Sequence, residues 1–310
     1  MLLDRSADSF GDLVMQHRSE LVVHCYRMLG TIDEAEDAVQ EAFARAWRAR
    51  QTFRRSISLR AWLYRIATNV CLDTIELRKR HRVELGLTVG PCPDDLLVGA
   101  SQPEAGPEAR YDAHESVSLA FLTVLQVLPP RQRAVLVLRD VLALHAAEVA
   151  ALLELSVPAV NSALQRARAT LRASHGPPES EPSKAQSVRP NLRLLERYVR
   201  AWESADVKGL VALLRDDAVL AMAPQPTVIG ATQIGNFLGN VIFAMGPMRL
   251  LEAHANFSPA FGAYVQRSKG SAFGLFALLV IAADGRRVTR IDAFSDPRVL
   301  GRVDVPMELA

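Results

Sequence analysis

Two stretches rich in proline, glycine and polar residues constrain the fold of this 310-residue chain more than any other feature of its sequence. The first spans 86–107 and the second 174–190, and each contains four prolines. Segments of this composition have too few apolar side chains to form a packed core, so the chain is predicted to fold as three blocks. The predicted blocks are residues 10–82, 114–173 and 191–300, with linkers at 83–113 and 174–190.

Charge is distributed unevenly along the first block, although the formal net charge of the chain is only +2. Residues 1–44 contain nine acidic and three basic side chains, whereas residues 45–82 contain eleven basic and two acidic ones. A local excess of arginine and lysine is typical of a surface that binds phosphates. The sequence therefore predicts a nucleic-acid contact within 45–82 and a different partner for the acidic segment.

The cysteines and the apolar segments limit the class of protein further. Cys25, Cys71 and Cys92 are odd in number and show neither a CxxC pattern nor the spacing of metal ligands, which favours reduced thiols. We therefore expect no metal site and no cofactor. There is no run of about 18 apolar residues and no leader of the secretory type, so a cytoplasmic protein without a membrane partner is expected.

Apolar residues at helical spacing predict three helices in the first block. Gly30 is well placed to end the first helix, because glycine accepts the left-handed conformation that often follows a helix. The second helix has an apolar face and an opposite face that carries Asp37 and Glu41. Ser58 is a predicted N-cap of the third helix, which ends in the basic run 78–82.

The second block has the pattern of a helix-turn-helix motif. A helix over 134–142 is followed by a short helix over 146–153, a turn at Glu154, and a third helix that begins at Ser156. One face of the third helix carries asparagine, glutamine and arginine, whose geometry matches base edges in the major groove. A solvated helix surface is the alternative interpretation of this face.

Four strings resemble the extracytoplasmic function (ECF) sigma factors, and they occur in that family's order. They are AEDAVQEAF at 35–43, LRAWLYRIATN at 59–69, LPPRQRAV at 128–135 and NSALQRAR at 161–168. The first two resemble sigma region 2 and the last two resemble sigma region 4. The resemblance implies two all-α domains that bind RNA polymerase core and promoter DNA, with the acidic linker threading toward the RNA exit path of the polymerase.

The resemblance also implies roles for individual residues. Contacts with the clamp helices of the largest polymerase subunit fall on Glu36, Asp37, Gln40 and Glu41. Recognition and melting of the minus-10 element fall on Phe53, Arg54, Arg55, Arg60, Trp62, Tyr64, Asn69, Arg78, Lys79 and Arg80. Trp62 and Tyr64 are equally well explained as core residues. Reading of the minus-35 element falls on Ser156, Asn161, Ser162, Gln165, Arg166 and Arg168.

The third block changes from helical to strand patterns along its length. Helices are predicted at its start and over 230–243, and strands are predicted over 248–255, 261–267, 272–281 and 288–294. Helices that lead into a curved antiparallel sheet resemble the SnoaL-like cone-shaped α+β fold, which some ECF sigma factors carry after region 4. The predicted fold class is therefore two all-α domains followed by an α+β domain.

Two functions remain open for the third block, because a SnoaL-like fold encloses an apolar cavity. The candidate pocket residues are Tyr198, Trp202, His254 and Asp292. Asp216 and Asp217 are further candidate acids, but no pair of these groups has a spacing diagnostic of catalysis, so no catalytic residue is assigned. Regulation of the sigma domains, with a small ligand or a separate anti-sigma factor as a further partner, is preferred over an enzymatic activity.

Two other interpretations of the whole chain differ in class from a sigma factor. One is a helix-turn-helix regulator that works without polymerase, and the other is a SnoaL-like enzyme with a DNA-binding appendage. Residues 31–80 discriminate against the first, because a simple regulator needs neither an acidic docking helix nor aromatic and arginine residues beside a basic run.

Overall fold

The computed structural model describes residues 7–53, 58–81, 89–98, 114–174, 191–223 and 225–310. Its chain forms two compact units, Met1–Pro177 and Pro178–Ala310. The first unit is helical and the second combines helices with one sheet. This confirms the predicted fold class, in which helical domains precede an α+β domain.

Among the described residues, the first block and the linker after it contain five helices. They are α1 (Ala7–Met15), α2 (Arg18–Leu29), α3 (Ile32–Ala49), α4 (Leu59–His81) and the short α5 (Asp94–Val98). A 3-10 turn, Arg50–Thr52, follows α3. Gly30 ends α2 with φ 93°, and the Ser58 hydroxyl accepts a hydrogen bond from the backbone N–H of Ala61 at 3.1 Å. Both predicted helix boundaries are therefore confirmed.

A tightly packed interface joins α2, α3 and α4. Leu21, Cys25 and Met28 of α2 are fully buried, as are Ala35 and Ala42 of α3. Alanines on α3 allow the helix backbones to approach closely, since a small side chain leaves room for its neighbour. This packing fixes the acidic helix α3 beside the basic helix α4.

Part of the predicted linker 83–113 packs on the first block. The Gly90 N–H donates to the Gly30 carbonyl at 2.9 Å, and the Tyr26 hydroxyl donates to the Gly90 carbonyl at 2.6 Å. Cys92 and Leu97 are buried. The composition of the segment indicated an unfolded linker, but its few apolar residues dock on an existing core instead of forming one. The linker residues 83–88 and 99–113 lie outside the described residues, as do 175–190 of the second linker.

The second block folds as α6 (Leu119–Val127), α7 (Pro130–Leu136), α8 (Ala146–Leu153) and α9 (Val157–Ser174), with a π-helical turn, Val137–Val141, after α7. The predicted helix over 134–142 therefore begins earlier, at Pro130, and changes its hydrogen-bond pattern at Val137. Helices α8 and α9 form the predicted helix-turn-helix, and Val160 and Ala167 bury the apolar face of α9.

Two buried arginines connect the helices of the second block to α2. The Arg133 guanidinium on α7 donates to the carbonyl of Met28 on α2, and also to the carbonyls of Gln126 at 2.9 Å and Leu128 at 3.2 Å. Arg27 on α2 donates to the Ser116 carbonyl at 3.2 Å and the Ser116 hydroxyl at 2.6 Å. Because burial disfavours the charged form, the pKa of each guanidinium is lowered to about 10. Both remain cationic at neutral pH.

The second unit begins with α10 (Leu192–Glu203) and α11 (Val207–Leu213). Its strands are β1 (Leu214–Met222), β2 (Gln225–Ile229), β3 (Met248–Ala255), β4 (Ser258–Val265), β5 (Phe273–Ala283), β6 (Val288–Phe294) and β7 (Glu308–Leu309). Helix α12 (Ala231–Phe237) lies between β2 and β3 and continues as a π turn and a 3-10 turn to Met245, and α13 (Pro297–Leu300) follows β6. Helices α10, α11 and α12 share one apolar core with the sheet.

The strands form a single mixed sheet in the order β2-β1-β6-β5-β4-β3, with β7 paired to β5. The four predicted strands, β3 to β6, pair antiparallel as expected, and β1 adds a parallel pairing with β6 that the prediction did not include. Strands β1 and β2 were missed, since Leu214–Met222 follows an apolar helix directly and contains the charged run 215–217. The predicted bounds of β3 and β6 are confirmed.

Among the described residues, no single helix has both the length and the apolar composition needed to cross a membrane. In the described part of the chain, one helix pair, Ala146–Leu153 and Val157–Ala173, passes that test jointly, and the two helices meet at a bend of 101°.

Candidate nucleic-acid interface

The polar face of α9 is fully presented to solvent. All six residues predicted to read the minus-35 element are exposed, while Val160, Leu164 and Ala167 on the opposite face are buried. The six are Ser156, Asn161, Ser162, Gln165, Arg166 and Arg168. An exposed helix face with amide and guanidinium groups can enter a major groove and bond to base edges.

Two of these six side chains already have partners. Arg168 donates to both carboxylate oxygens of Asp140, at 2.7 and 2.9 Å, which ties α9 to the π-helical turn after α7. The Ser156 hydroxyl accepts from the Ala159 N–H at 3.3 Å and so caps α9. The bidentate ion pair orients Arg168 along the protein surface, so this guanidinium is less free to approach a base than Arg166.

Glu154 holds the turn between α8 and α9 in a left-handed conformation, with φ 54° and ψ 45°. Glycine adopts this conformation more easily than a residue with a Cβ, so a glutamate is uncommon at this turn position. The Glu154 carboxylate forms an ion pair with Arg65 of α4. At the start of α8, the Glu148 carboxylate accepts from the His145 N–H at 2.7 Å, which supplies one half of a capping box.

An aromatic cluster lies where α1, α3 and α4 meet. Trp62 of α4 contacts Phe53 with ring centroids 5.1 Å apart and Phe10 with centroids 6.5 Å apart, and Phe10 also contacts Trp47 at 6.0 Å. Trp62, Phe53 and Phe10 are half-buried, and Trp47 is exposed. The cluster therefore presents aromatic surface on which an unpaired base can stack. Arg54 and Arg55 lie outside the described residues.

The structure places Tyr64 inside the first block. Its hydroxyl donates to the Glu20 carboxylate at 3.1 Å, and the same carboxylate accepts from Arg60 at 2.8 Å. Burial, reinforced by the negative charge of Glu20, raises the pKa of Tyr64 above its usual value. The Arg60 guanidinium lies over the Tyr64 ring, 5.0 Å from its centroid. Tyr64 and Arg60 thus form a structural network at the edge of the candidate DNA surface.

The basic run at the end of α4 divides into an inward and an outward part. Arg78 is half-buried, pairs with Glu34 of α3, and lies 3.4 Å from the Leu29 carbonyl. Lys79 and Arg80 are exposed, as is Asn69 earlier on the same helix. Arg80 pairs with Glu76 at 3.3 Å in an exposed ion pair, which solvent screens, whereas Arg78 cannot reach a phosphate while it pairs with Glu34.

Acidic and amide side chains on α3 form a second exposed surface. Asp37 and Gln40 are exposed. Glu36 is half-buried and pairs with Arg18 at 2.9 Å, and Glu41 pairs with Arg45 at 2.8 Å. The two free-standing polar side chains are therefore the most accessible of the four residues predicted to contact polymerase.

The structure does not bring the four predicted pocket residues of the second unit together. Tyr198 and Trp202 of α10 are in the apolar core. Asp292 lies between the core residues Ile291 and Ala293 on β6, so its side chain is on the opposite face of the strand, where it pairs with Arg290 at 2.7 Å. His254 is exposed, as are Asp216 and Asp217.

Sequence reasoning missed three residues that organise these surfaces. Arg27 entered the sequence analysis only as one of the basic residues of 1–44, and Arg133 only as part of the motif at 128–135, although both are buried. Glu20 was counted only as one of nine acidic residues, although it binds Tyr64 and Arg60. The burial of Arg27 could have been inferred from the sequence. It lies four residues after the buried Val23, so both residues fall on the same buried face of α2.

A buried histidine lies behind α4. Because the Thr68 hydroxyl donates to the Tyr64 carbonyl at 2.7 Å, it accepts from Nε2 of His24 at 2.9 Å, and Nδ1 is the unprotonated nitrogen. Complete burial, with a smaller contribution from the charge of Arg27, lowers the pKa of His24 to about 3. The histidine is therefore neutral in the folded protein at physiological pH.

A helix-turn-helix with an exposed base-reading face, joined to a helical domain with acidic, aromatic and basic surfaces, defines a protein that binds DNA and a second macromolecule. Comparison with known proteins agrees. Residues 13–83 match the model of Sigma-70 region 2, and residues 118–171 match that of Sigma-70, region 4.

Individual relatives extend the match to the whole chain. The chain is 37% identical to the ECF RNA polymerase sigma factor SigG of Mycobacterium tuberculosis, over 99% of this chain and 86% of SigG. It is 29% identical to SigJ of the same organism, over 74% of this chain and 72% of SigJ. The crystal structure of SigJ superposes with a TM-score of 0.63 at 22% identity and covers 94% of this chain and 98% of SigJ.

The chain belongs to the family of ECF RNA polymerase sigma factors. It binds RNA polymerase core and directs promoter-specific initiation of transcription.

The burial of His24 predicts acid sensitivity. The pKa of His24 in the unfolded chain is near 6.5 and the folded value is about 3, so the stabilising contribution of neutral His24 is complete above pH 6.5 and is lost as the pH falls toward 3. The free energy of unfolding should decrease by about 1.4 kcal/mol per pH unit on this account. Urea titrations monitored by circular dichroism at several pH values measure the slope.

His24→Gln keeps an N–H donor for Thr68 but cannot be protonated in this range. The pH dependence of its free energy of unfolding should therefore be smaller than the native one by the contribution of one proton, about 1.4 kcal/mol per pH unit. His145→Gln, at an exposed position, is the matched control and should leave the slope unchanged. Equal slopes for the native protein and His24→Gln would contradict the assignment.

Proposed function

We propose that α9 reads the minus-35 element, that the aromatic cluster and the outward basic residues of the first block open and hold the minus-10 element, and that α3 docks on the polymerase clamp. The observation that carries this proposal is the face of α9. Its polar side chains are exposed and held on a helix-turn-helix by a buried apolar face.

For the minus-10 element, the aromatic cluster supplies what strand opening needs. Unstacked bases require replacement partners, and an aromatic face supplies about 1 to 3 kcal/mol per stacked base. Trp62 and Phe53 offer such faces. Asn69, Lys79 and Arg80 lie on the same helix as Trp62 and offer exposed polar and cationic groups. The roles of Arg54 and Arg55 are proposed from the family resemblance alone.

The contacts within the first unit support a closed state of the free protein. Arg27, Arg133 and the Arg65–Glu154 ion pair hold the second block against α2 and α4. The minus-10 and minus-35 elements lie about 25 base pairs apart, which is about 85 Å at roughly 3.4 Å per base pair. Two blocks in direct contact cannot reach both elements of a straight duplex, so we propose that they separate when the protein engages polymerase and promoter.

For the C-terminal domain, we propose regulation by a small ligand in preference to catalysis. The candidate acids and bases His254, Asp216 and Asp217 are exposed, and Asp292 is neutralised by Arg290 away from the apolar core. A general acid or base must lie within hydrogen-bond reach of the group it protonates. Among the described residues of the core there is no carboxylate and no histidine that fits that role. We further propose that the protein acts in the cytoplasm, where polymerase is found.

The polymerase contact is tested by reversing an exposed charge on α3. Asp37→Lys should weaken binding to core polymerase about tenfold, because a like charge replaces a favourable one at a charged interface. Glu196→Lys reverses the charge of an exposed acid on a helix of the C-terminal domain, outside the proposed interface, and should bind as the native protein does. Fluorescence anisotropy with labelled protein measures both affinities. The docking proposal fails if the two variants bind core polymerase equally well.

The promoter contact is tested by comparing two arginines on one helix. Arg166→Ala should cost holoenzyme about 1 to 3 kcal/mol of promoter affinity or reduce the salt dependence of binding, according to whether it reads a base or a phosphate. Arg168→Ala should cost less, because Asp140 already engages this guanidinium. Dissociation constants at several salt concentrations separate these cases. A greater loss for Arg168→Ala would reverse the assignment.

The closed state is tested by a charge swap across the Arg65–Glu154 ion pair. Glu154→Arg places two cations together and weakens the closed state, so affinity for core polymerase should rise by about fivefold, as expected when an attraction of about 0.5 kcal/mol is replaced by a repulsion of similar size. Adding Arg65→Glu restores an attractive pair and should return the affinity to the native value. Affinities that stay the same in all three proteins would exclude a role for this contact.

A further inference from the structure

Two buried aromatic side chains, each with one hydrogen-bond donor, lie side by side on α10 of the C-terminal domain. Tyr198 and Trp202 are four residues apart, so they project from the same face of the helix, and their ring centroids are 5.9 Å apart. Tyr198 is fully buried and Trp202 is 3% exposed. No described residue accepts a hydrogen bond from the Tyr198 hydroxyl or from Nε1 of Trp202.

The other buried tyrosines of the described chain are paired. Tyr26 donates to the Gly90 carbonyl, Tyr64 to the Glu20 carboxylate, and Tyr264 to the Pro306 carbonyl at 2.6 Å. Leaving a buried donor without an acceptor costs its full desolvation, so each such group needs an explanation, and a bound molecule is one of them. Two adjacent donors without partners are therefore a feature to explain.

The surroundings of the two donors define what can bind there. Phe261 stacks on Tyr198 with centroids 6.1 Å apart, and Phe243 meets Trp202 edge-on at 5.5 Å. Among the described residues of this domain, the buried charged residue is Asp292, which lies on the opposite face of β6 from this core. A carboxylate or an ammonium group would be desolvated there without a counter-charge, which excludes charged ligands. Phe243, Met245 and Leu250 pack against the cluster but are only half-buried, which provides an approach from solvent.

The chemistry of the donors narrows the ligand further. An indole N–H only donates, and a carbonyl oxygen has two lone pairs that can accept from two donors at once. Burial raises the pKa of Tyr198, so its hydroxyl keeps its proton. The domain offers donors to an acceptor held within apolar walls.

We infer that Tyr198 and Trp202 jointly bind the carbonyl oxygen of an uncharged, largely apolar ligand, such as an aromatic ketone or a quinone. The inference rests on the regulatory role proposed above for this domain and specifies its ligand. The two donors fix the orientation of the ligand, and the aromatic rings supply most of its buried contact area.

The test uses two probes that differ in one group, acetylnaphthalene and ethylnaphthalene, titrated into the full-length protein by isothermal titration calorimetry. The ketone should bind about tenfold more tightly than the hydrocarbon, because only the ketone can accept from the two donors. Tyr198→Phe and Trp202→Phe should each reduce this preference at least threefold. Tyr264→Phe removes a buried hydroxyl with an internal partner and should keep the preference.

Each outcome decides the question. If neither probe binds, if both bind equally, or if the preference survives both substitutions, the site is refuted and the two donors are structural. The native protein alone gives the first two results, so a variant that fails to fold does not remove the test. Run-off transcription with and without acetylnaphthalene then separates the two proposals, since ketone-selective binding without a change in transcription retains the site and rejects the regulatory role.

Discussion

The interaction on which the helical unit most depends is the buried guanidinium of Arg133. It donates to carbonyls at the ends of α2 and α6, where helix termini leave acceptors unpaired, and it lies between the two sigma regions. Hydrogen bonds from a charged donor contribute roughly 1.5 to 3 kcal/mol each, and the loss of a buried donor leaves several carbonyls without a partner. Arg27 makes a similar contact in the other direction, since it extends from α2 and donates to the carbonyl and hydroxyl of Ser116 in the second block. Polar contacts of this kind can hold two domains together and still be exchanged for water when the domains part.

This construction separates the reading surfaces from the residues that support them. On α9, Asp140 holds Arg168 along the protein while Asn161, Gln165 and Arg166 remain exposed. On α4, Tyr64 and Arg60 are tied to Glu20, while Lys79 and Arg80 face solvent. In each helix some of the polar residues keep the surface in place and others are available to DNA, so a basic residue in a family motif is not necessarily a DNA contact.

Much of this could be predicted from the sequence, and the exceptions have physical causes. Helical spacing gave the helices and the helix-turn-helix, and Gly30 and Ser58 gave their ends, because periodicity and capping are local properties. The inward turn of Arg78 and the burial of Tyr64 depend on partners 44 residues away, Glu34 and Glu20, which no local pattern contains. The position of Asp292 also depends on distant residues, because strand register decides which face of the sheet it occupies. Strand β1 could not be predicted locally either, because its partner β6 comes much later in the chain.

We propose that this chain holds its two promoter-reading blocks together when free and separates them on the promoter. Resonance energy transfer between two dyes, one on each block, tests this most directly. The dyes are attached to cysteines introduced at the exposed positions Glu76 on α4 and Ala169 on α9, since the native Cys25, Cys71 and Cys92 are buried. The account predicts efficient transfer in the free protein and little transfer in the promoter complex, where the elements lie about 85 Å apart. The same transfer efficiency in both states would contradict it.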